Sequence, residues 1–201
     1  MRVLGVANPA LRIPPGEPNY AVPASAPVLL DAKVLSFMPH MHVRGKAFRY
    51  ELARPDGSKQ LLLDVPRYDF NWQLQYKLAE PIDAPTGSKL LATGWYDNSA
   101  NNPANPDPTR EVKWGPQTDD EMMLGYLEYY VPSQKPGEKV SLAQLAARDG
   151  TVMFNFLDRN HDGKITREEA PSPETFKVAD EDADGVVTRE ELKKYLQRTK
   201  R

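Results

Sequence analysis

The distribution of proline constrains the fold of this chain more than any other feature of its sequence. Of the 19 prolines, all but Pro171 and Pro173 precede Gly137. Proline breaks the interior of helices and is tolerated at turns and strand edges. The first two thirds of the chain are therefore predicted to be β-strands joined by ordered loops, followed by a linker at residues 133–137.

This shift in composition predicts two domains, a β-sandwich over residues 1–137 and a small helical appendage over residues 138–201. The chain has 201 residues, which exceeds the roughly 100–150 residues of a typical single domain. Helix-forming residues take over after the linker, as at residues 142–147. The boundary follows from composition alone.

Six or more strands are predicted before the linker. Alternating apolar and polar residues at 68–78 predict a strand with one face on a core. The segments 46–53 and 59–65 flank a turn with proline and glycine at residues 54–58, so they are expected to form a hairpin. The remaining predicted strands lie at residues 28–38, 88–96 and 122–131. This number of strands is enough for a two-sheet sandwich.

Composition excludes several classes of function. The net charge is -2 and no basic run could follow a phosphate backbone, so nucleic acid is not an expected partner. The absence of cysteine excludes disulfides, thiolate metal sites and cysteine nucleophiles. No apolar run approaches the ~18–20 residues that cross a bilayer, and the opening apolar stretch is too short for a signal peptide. No membrane span is expected.

Two 12-residue loops that begin at Asp158 and Asp180 match the calcium-binding pattern of EF-hands. A hard cation needs an oxygen cage, which this spacing supplies with a glycine at the sharp turn and a closing bidentate glutamate. The predicted calcium ligands are Asp158, Asn160, Asp162, Lys164 through its carbonyl, Thr166 and Glu169 in the first loop, and Asp180, Asp182, Asp184, Val186, Thr188 and Glu191 in the second. Two calcium sites are therefore predicted.

The calcium loops are expected to form one small structural unit. Ile165 and Val187 occupy position 8 of their loops and should pair in a short ladder. Apolar residues outside the loops should close a core: Phe154, Phe156, Leu157, Leu192 and Tyr195. A proline-containing break at residues 171–173 separates the two loops. This break favours structural calcium binding over a sensor that opens a groove.

His40 and His42 lie two residues apart, directly before a basic and glycine-containing stretch at residues 43–46. If this stretch is extended, both imidazoles project from one face and can reach a single ion. A pair of this kind is also common on the polar face of a strand. The pair alone therefore leaves the metal site open.

The segment around His40, the step from Glu121 to Met123 and residues 126–130 resemble the C-terminal domain of the copper type II, ascorbate-dependent monooxygenases. The resemblance covers roughly residues 10–132. It implies a jelly-roll-like antiparallel β-sandwich.

The resemblance also implies that His40, His42 and Met122 together hold one copper ion. Two imidazoles and a thioether suit Cu(I) and leave a position open for oxygen and a substrate. Met123 is expected on the opposite face of the same strand and is therefore the less favoured ligand.

The sequence departs from the family at several positions. The usual disulfide positions correspond to Gly94 and Met123, so both cysteines are absent. The residues that grip a substrate carboxylate in peptide-amidating members correspond to Met38 and Leu124. Only Tyr126, a possible substrate-pocket residue, keeps its type. Peptide amidation is therefore not expected.

The family uses a second copper site, held by three histidines in a preceding domain, to supply the other electron. With 3 histidines in all, this chain cannot build it, so the expected electron donor is another domain or a redox protein. Residues 68–73 and 96–103 resemble a bacterial subgroup that is often joined to redox modules. Within the second stretch, Asp97, Asn98 and Asn102 are expected to cap a loop.

The predicted function is copper-dependent hydroxylation of a C–H bond in a small-molecule substrate, with O2 and an external electron donor, beside a calcium-binding tail. The expected location is periplasmic or extracellular, where calcium and oxygen-linked copper chemistry are commoner. Two alternatives stay open. One is a non-enzymatic copper-binding or electron-transfer module, and the other is a calcium-binding interaction protein with inert histidines.

Overall fold

The computed structural model describes residues 1–135, 153–154, 157–158 and 162–198. The chain divides into two compact units, Met1–Ser133 and Gln134–Arg201. Some residues with sequence predictions lie outside the described ranges: Asn160 and His161 of the first calcium loop, Phe156 of the expected tail core, and the helix-forming segment 142–147.

The described part of the first unit contains ten strands: β1 (Arg2–Ala7), β2 (Arg12–Ile13), β3 (Tyr20–Pro27), β4 (Ala32–His40), β5 (Gly45–Ala53), β6 (Lys59–Val65), β7 (Tyr76–Ala84), β8 (Lys89–Tyr96), β9 (Val112–Lys113) and β10 (Leu124–Tyr130). One sheet has the order β1-β10-β4-β7, a second has the order β3-β8-β5-β6, and β2 pairs with β9. Every pairing is antiparallel. The predicted mainly β, sandwich-like fold class with a small helical appendage is confirmed.

Side chains from both large sheets meet in one core. The ring of Phe37 on β4 lies 4.7 Å from that of Tyr50 on β5, and Tyr50 also packs on Phe48 at 4.9 Å. All three residues are fully buried. Tyr50 needs a glycine opposite it, because a Cβ at Gly125 would lie 2.7 Å from its ring. The core therefore fixes β10 against β5 across the sandwich.

The predicted hairpin between β5 and β6 is confirmed. The Arg54 amide donates to the Ser58 carbonyl at 2.8 Å, and the Gly57 amide donates to the Arg54 carbonyl at 3.0 Å. Gly57 has a φ of 85°, a left-handed value that glycine adopts at little cost. The proline and glycine of this turn therefore act as the sequence predicts.

The strand predicted at residues 68–78 is wrong over most of its length. Residues 66–75 form an irregular segment, here named the 66–75 loop, and β7 begins only at Tyr76. Asp69 starts a turn in which its carbonyl accepts from the Trp72 amide at 2.9 Å. Its carboxylate also accepts from the amide two residues later at 2.8 Å. Such local bonds compete with a strand ladder.

The strands β1 and β3 are not predicted by the sequence pattern. Pro23 and Pro27 lie within β3 and argue against a strand. However, β3 lies at the edge of its sheet, where a residue without an N–H group is tolerated. The edge position therefore explains the missed element.

Gly94 and Met123, which correspond to the usual disulfide positions of the family, lie in the core. The sulfur of Met41 lies 3.0 Å from the place that a Cβ would take at Gly94. Met123 is fully buried. Methionine side chains therefore occupy this part of the core, where flexible thioethers fill irregular space well.

The described part of the second unit contains helices α1 (Pro173–Ala179) and α2 (Arg189–Arg198). The Ser172 side chain caps α1 by accepting from the Thr175 amide at 3.1 Å, and Pro173 lies in the first turn. The proline-containing break therefore starts a helix. No helix in the described part of the chain is long and apolar enough to cross a membrane.

The predicted ladder between the calcium loops is confirmed. Ile165 and Val187 exchange two backbone hydrogen bonds of 3.0 and 2.8 Å. Around them lies a core made of Phe154, Leu157, Ile165, Phe176, Ala179, Val187 and Leu192, and Tyr195 packs against it. Apart from Phe156, the expected apolar residues therefore lie together.

Candidate metal centres

His40 and His42 approach each other at the end of β4. His40 ends β4, and His42 lies in a turn closed by a 3.0 Å hydrogen bond from the Gly45 amide to the His42 carbonyl. Residues 41–45 are named the histidine turn below. The two imidazole centroids are 5.2 Å apart with an interplanar angle of 80°. Rings bound to one ion through bonds of about 2 Å have centroids up to about 6 Å apart, so this separation fits a shared ion.

Both rings have their Nδ1 atoms occupied by hydrogen bonds. The Nδ1 of His40 lies 2.7 Å from the side-chain oxygen of Gln73, whose amide nitrogen donates to the Phe70 carbonyl at 2.9 Å. The Nδ1 of His42 lies 3.2 Å from the Asp120 carbonyl. Both partners are acceptors, so each Nδ1 carries the proton. Protonation at Nδ1 leaves each Nε2 without a proton, which is the usual tautomer of metal-binding histidines.

The environment of His42 favours the neutral imidazole. Its side chain is buried, and burial is the main cause that lowers its pKa, with the charge of His40 acting in the same direction. Hydrogen bonds to the backbone of Asp120 and of Gln117, and the charge of Asp120, oppose this lowering of the pKa. His42 is therefore neutral near pH 7, the form that binds a metal ion.

The segment that carries Met122 is held next to the histidine turn. The Glu121 carboxylate accepts hydrogen bonds from the amides of His42 and Arg44, each at 2.7 Å. The Met122 carbonyl accepts from the Tyr96 hydroxyl at 2.8 Å. The residue directly before Met122 is therefore bonded to the histidine turn.

The two methionines of this segment differ in burial. Met123 is fully buried in the core, whereas Met122 is half-buried. Met122 lies two positions before Leu124, whose partner in the β10–β4 register is His40. Of the two, Met122 is therefore the more exposed, and its role as a copper ligand stays a prediction.

Glu121 and Arg44 are the buried charged groups of this site. Burial raises the pKa of Glu121 to about 7, opposed by hydrogen bonds from the amides of His42, Arg44 and Met122 and by the charge of Arg44. Arg44 is fully buried, and its guanidinium donates to the Asn98 side chain and the Asp119 carbonyl, each at 2.9 Å. The sequence gives no local signal for a role of Glu121, because this residue follows Asp119 and Asp120 in an acidic run.

Neighbouring loops hold the rest of the histidine turn. The Tyr68 hydroxyl accepts from the Met41 amide at 3.0 Å and donates to the Met41 carbonyl at 2.6 Å. The Asn102 side chain donates to the Val43 carbonyl at 3.3 Å, and the Asp97 amide donates to the Arg44 carbonyl at 2.8 Å. Because Tyr68, Asp97 and Asn102 hold the backbone of the histidine turn, His42 has little freedom to move.

The predicted loop-capping role is confirmed for Asp97, Asn98 and Asn102. The Asp97 carboxylate accepts from the Ser99 amide at 3.0 Å, and the Asn102 side chain donates to the Asp97 carbonyl at 2.8 Å. The side-chain nitrogen of Asn98 donates to the carbonyls of Pro14 and Arg110 at 2.8 and 3.0 Å. These three residues therefore order the loop.

The part of the sheet beside His40 that carries the next two register rows is largely apolar and is named the metal face. Two register rows cross it, and the residues at these positions are Ala7, Leu124 and His40 in one row, and Gly5, Tyr126 and Met38 in the other. The ring of Tyr126 lies 6.5 Å from that of His40. The Phe70 ring of the 66–75 loop lies 6.0 Å from His42. Aromatic rings therefore flank both histidines.

The second calcium loop has the geometry of a cation site. The side-chain oxygens of Asp180, Asp182 and Asp184 lie within 4.8 Å of one another. Glu191 at position 12 is largely buried, and its two oxygens accept from loop amides, including that of Thr188 at 2.8 Å. Oxygen ligands therefore converge as a hard cation requires.

The first calcium loop repeats the internal hydrogen bonds of the second. The position 6 amide donates to the position 1 carboxylate, as Gly163 to Asp158 at 3.1 Å and Gly185 to Asp180 at 3.2 Å. The position 9 hydroxyl donates to the position 12 carboxylate in both loops, at 2.9 and 2.7 Å. The amides of Lys164 and Val186 at position 7 donate to the position 5 aspartates Asp162 and Asp184. The ligand at Asn160 lies outside the described residues.

Comparison with solved structures includes two weak likenesses. Two virus structures, those of the Gt and Gx strains of infectious bursal disease virus, share 12% sequence identity with this chain at TM-scores of 0.33 and 0.31. They cover 65% and 68% of this chain, which spans 32% and 33% of theirs. These scores are too low to support a structural or functional argument.

Comparison with protein families gives matches over both units. The EF-hand model matches residues 151–169 and 174–196, the two segments that contain the calcium loops. The model of the copper type II ascorbate-dependent monooxygenase C-terminal domain matches residues 3–146, most of the chain and the whole of the histidine turn. The chain therefore belongs to the copper type II ascorbate-dependent monooxygenase family, whose C-terminal domain it carries ahead of an EF-hand region.

Proposed function

We propose that the β-sandwich unit is the substrate-oxidising half of a copper monooxygenase, which hydroxylates a C–H bond with O2 and electrons from an outside donor. The observation that carries the proposal is the hydrogen bonding and the separation of the two imidazoles. Their Nδ1 atoms form hydrogen bonds with oxygen atoms, and their ring centroids lie 5.2 Å apart. Two imidazoles that carry their protons on Nδ1 at this distance suit a shared metal ion.

In this proposal, His40, His42 and Met122 hold one copper ion. Copper supplies one-electron redox chemistry and O2 activation, and the soft thioether favours the Cu(I) state. The protein contributes orientation. Gln73 fixes the ring of His40 and the Asp120 carbonyl fixes that of His42. The half-buried Phe70 packs against His42 and shields one side of its ring from water.

The second electron is proposed to come from another domain or a separate redox protein. Hydroxylation with O2 consumes two electrons, and a single copper ion provides one at a time. His40 and His42 are two of the 3 histidines in this sequence, so too few remain for a second copper site held by three histidines. A reductant such as ascorbate or a protein donor therefore has to complete the reaction.

The substrate is proposed to be an apolar small molecule without a carboxylate. None of the described residues in the two register rows of the metal face carries a fixed charge: Ala7, Leu124, His40, Gly5, Tyr126 and Met38. The charge that acts on His42 from the neighbouring loop is that of Asp120, which is acidic. An acidic group beside an apolar surface repels carboxylates and tolerates neutral aromatic or aliphatic groups.

Both tail loops are proposed to bind calcium as structural sites. The paired loops repeat one another's internal bonds and share a core, so a cation in each stiffens a single unit. A periplasmic or extracellular location is proposed because calcium is abundant there and the family match is to an ascorbate-dependent oxygenase.

The reaction is tested by oxygen consumption with the copper-loaded chain, ascorbate and a panel of neutral aromatic and carboxylate compounds. We expect uptake above the ascorbate background with neutral compounds only, and a hydroxylated product by mass spectrometry. The His40→Ala, His42→Ala double variant is the control for free copper. Tight copper binding without substrate-dependent uptake would instead support a non-enzymatic copper-binding or electron-transfer module.

The orienting role of Gln73 gives a separate prediction. Gln73→Leu keeps the size of the side chain but removes the acceptor of the His40 Nδ1 proton. We expect Cu(I) affinity to fall about 10-fold, since outer partners of metal-bound histidines typically contribute 10–100-fold. The readout is competition with a chromophoric Cu(I) chelator.

The matched control for this variant is Gln75→Leu in the same loop. Gln75 donates to the Ser36 hydroxyl at 3.0 Å, whereas the hydrogen bonds to the Nδ1 atoms of the two histidines involve Gln73 and Asp120. Its copper affinity should equal that of the unaltered protein. Equal affinity in both variants would show that the Gln73 contact does not orient a ligand.

A further inference from the structure

One carboxylate joins the two segments that carry the proposed copper ligands. Glu121 is fully buried in the β-sandwich unit. One of its oxygens accepts from the His42 amide and the other from the Arg44 amide, each at 2.7 Å. Both oxygens are therefore used by the backbone of the histidine turn, some 80 residues away in sequence.

His42 is held twice by consecutive residues. Its backbone amide donates to the Glu121 side chain, and its ring Nδ1 donates to the Asp120 carbonyl at 3.2 Å. The contacts of Asp120 and Glu121 therefore fix where the His42 ring lies relative to the Cβ of Met122, the next residue in the chain.

We propose that Glu121 is a positioning residue of the copper site, which ties His42 to Met122 so that ring nitrogen and sulfur can reach the same ion. This inference rests on the proposed function. A soft cation bound by three side chains from two distant segments needs those segments at a fixed distance. Outer partners set such distances in metal sites.

The chemistry of the contact requires a carboxylate. The amides of His42 and Arg44 are both donors, and these two hydrogen bonds favour the ionised form of Glu121 against its burial, since a carboxylate has an acceptor for each. A glutamine offers one acceptor and one donor, so one buried amide would face an N–H group. The turn would have to shift to relieve this conflict, because buried donors without acceptors are strongly disfavoured.

The charge of Glu121 is also compensated inside the fold. The positive charge of Arg44 acts on Glu121, and the Arg44 guanidinium is itself held by Asn98 and by the carbonyl of Asp119. The carboxylate and the guanidinium come from the two segments that the contact joins. The pair is therefore placed to hold these segments together rather than to react with a substrate.

The test is the Cu(I) affinity of Glu121→Gln in the full chain, measured with calcium present by competition with a chromophoric chelator. We expect affinity to fall about 10–100-fold, the usual effect of losing an outer partner of a ligand. Copper K-edge absorption should show a weaker sulfur contribution. The matched control is Glu128→Gln on β10, whose carboxylate accepts from the Ser36 hydroxyl at 2.9 Å and should leave copper binding unchanged.

A double-mutant cycle separates positioning from general stability. If Glu121 acts by holding His42 and Met122 together, Glu121→Gln should cost less affinity in a Met122→Ala background than in the unaltered protein. The same fold-loss in both backgrounds would overturn the inference. A lower melting temperature with unchanged Cu(I) affinity and an unchanged sulfur signal would also overturn it, because this is the result of a merely structural role.

A second variant keeps the test usable if Glu121→Gln does not fold. Glu121→Asp retains the charge beside Arg44 but is one methylene shorter, so it cannot reach both amides at once. We expect an intermediate loss of Cu(I) affinity, and affinity equal to that of the unaltered protein would count against the inference. If the unaltered protein binds no Cu(I) at all, the proposed function itself fails, which is a distinct result.

Discussion

Replacing both His40 and His42 with alanine is expected to abolish high-affinity Cu(I) binding to this protein. The two rings provide the nitrogen ligands of the proposed site, and no other described histidine lies beside them. The loss should exceed about 100-fold, the upper range for removing an outer partner alone, because two direct ligands are lost. Competition with a chromophoric chelator measures it.

Met122→Ala is expected to weaken the same site without abolishing it. Both imidazoles stay in place, but the soft ligand that favours Cu(I) is lost. X-ray absorption at the copper edge should show one sulfur neighbour in the unaltered protein and none in the variant. This measurement reports metal, ligand type and coordination number together, so it tests the assignment directly.

Two control variants accompany these copper experiments. Met123→Leu changes a fully buried core methionine at roughly constant volume, so copper affinity should not change. His161→Ala removes the remaining histidine of the sequence, which lies in the first calcium loop. Undiminished Cu(I) binding in the His40→Ala, His42→Ala protein would contradict the site and leave the calcium-binding tail as the better functional candidate.

The histidine pair could be found from the sequence, but its geometry could not. The spacing suggests two rings on one side of an extended chain. In the structure, His40 ends a strand and His42 lies in a tight turn closed at Gly45. The rings meet there, and Glu121 and Tyr68 fix the segment that carries His42. Those partners lie far away in sequence, and no local pattern contains such contacts.

The same reason explains the error at residues 68–78. Alternation of aromatic and polar residues predicts a strand, but the hydrogen bond that the Asp69 carboxylate accepts from the Asn71 amide favours a turn. The resulting 66–75 loop places Phe70 beside His42 and Gln73 on His40. The loop thus supports the site, and a periodic pattern cannot distinguish a strand from a loop whose side chains alternate for tertiary reasons.

Other features could be predicted because their causes are local. The hairpin between β5 and β6 depends on a proline and a glycine within five residues. The calcium loops depend on oxygen ligands at fixed positions in 12 residues. By contrast, β3 was hidden by Pro23 and Pro27, since an edge position that tolerates them is decided only when the sheet assembles.

Removing calcium is expected to lower the melting temperature of the tail and to leave that of the β-sandwich unchanged. A ligand that binds only the folded form stabilises it by mass action, by about 2.7 kcal/mol per site when calcium is at 100 times its Kd. For a unit of this size, roughly 10–20 °C per site is expected. Scanning calorimetry with calcium and with a chelator measures the shift.

The position 12 glutamates should account for most of this effect. Glu169 and Glu191 are largely buried and close their loops, so Glu169→Gln with Glu191→Gln should remove most of the response to calcium. Glu181→Gln is the matched control in the second loop. Its carboxylate pairs with Lys194 and Arg198 and does not occupy a ligand position.

The ladder between the loops decides how the two sites respond together. Ile165 and Val187 share two backbone hydrogen bonds and one core, so ordering one loop also orders its neighbour. A single Glu191→Gln change is therefore expected to weaken calcium binding at the first loop as well as at its own. Independent titration of the two loops would contradict this coupling. A melting curve that ignores the chelator would contradict calcium binding itself.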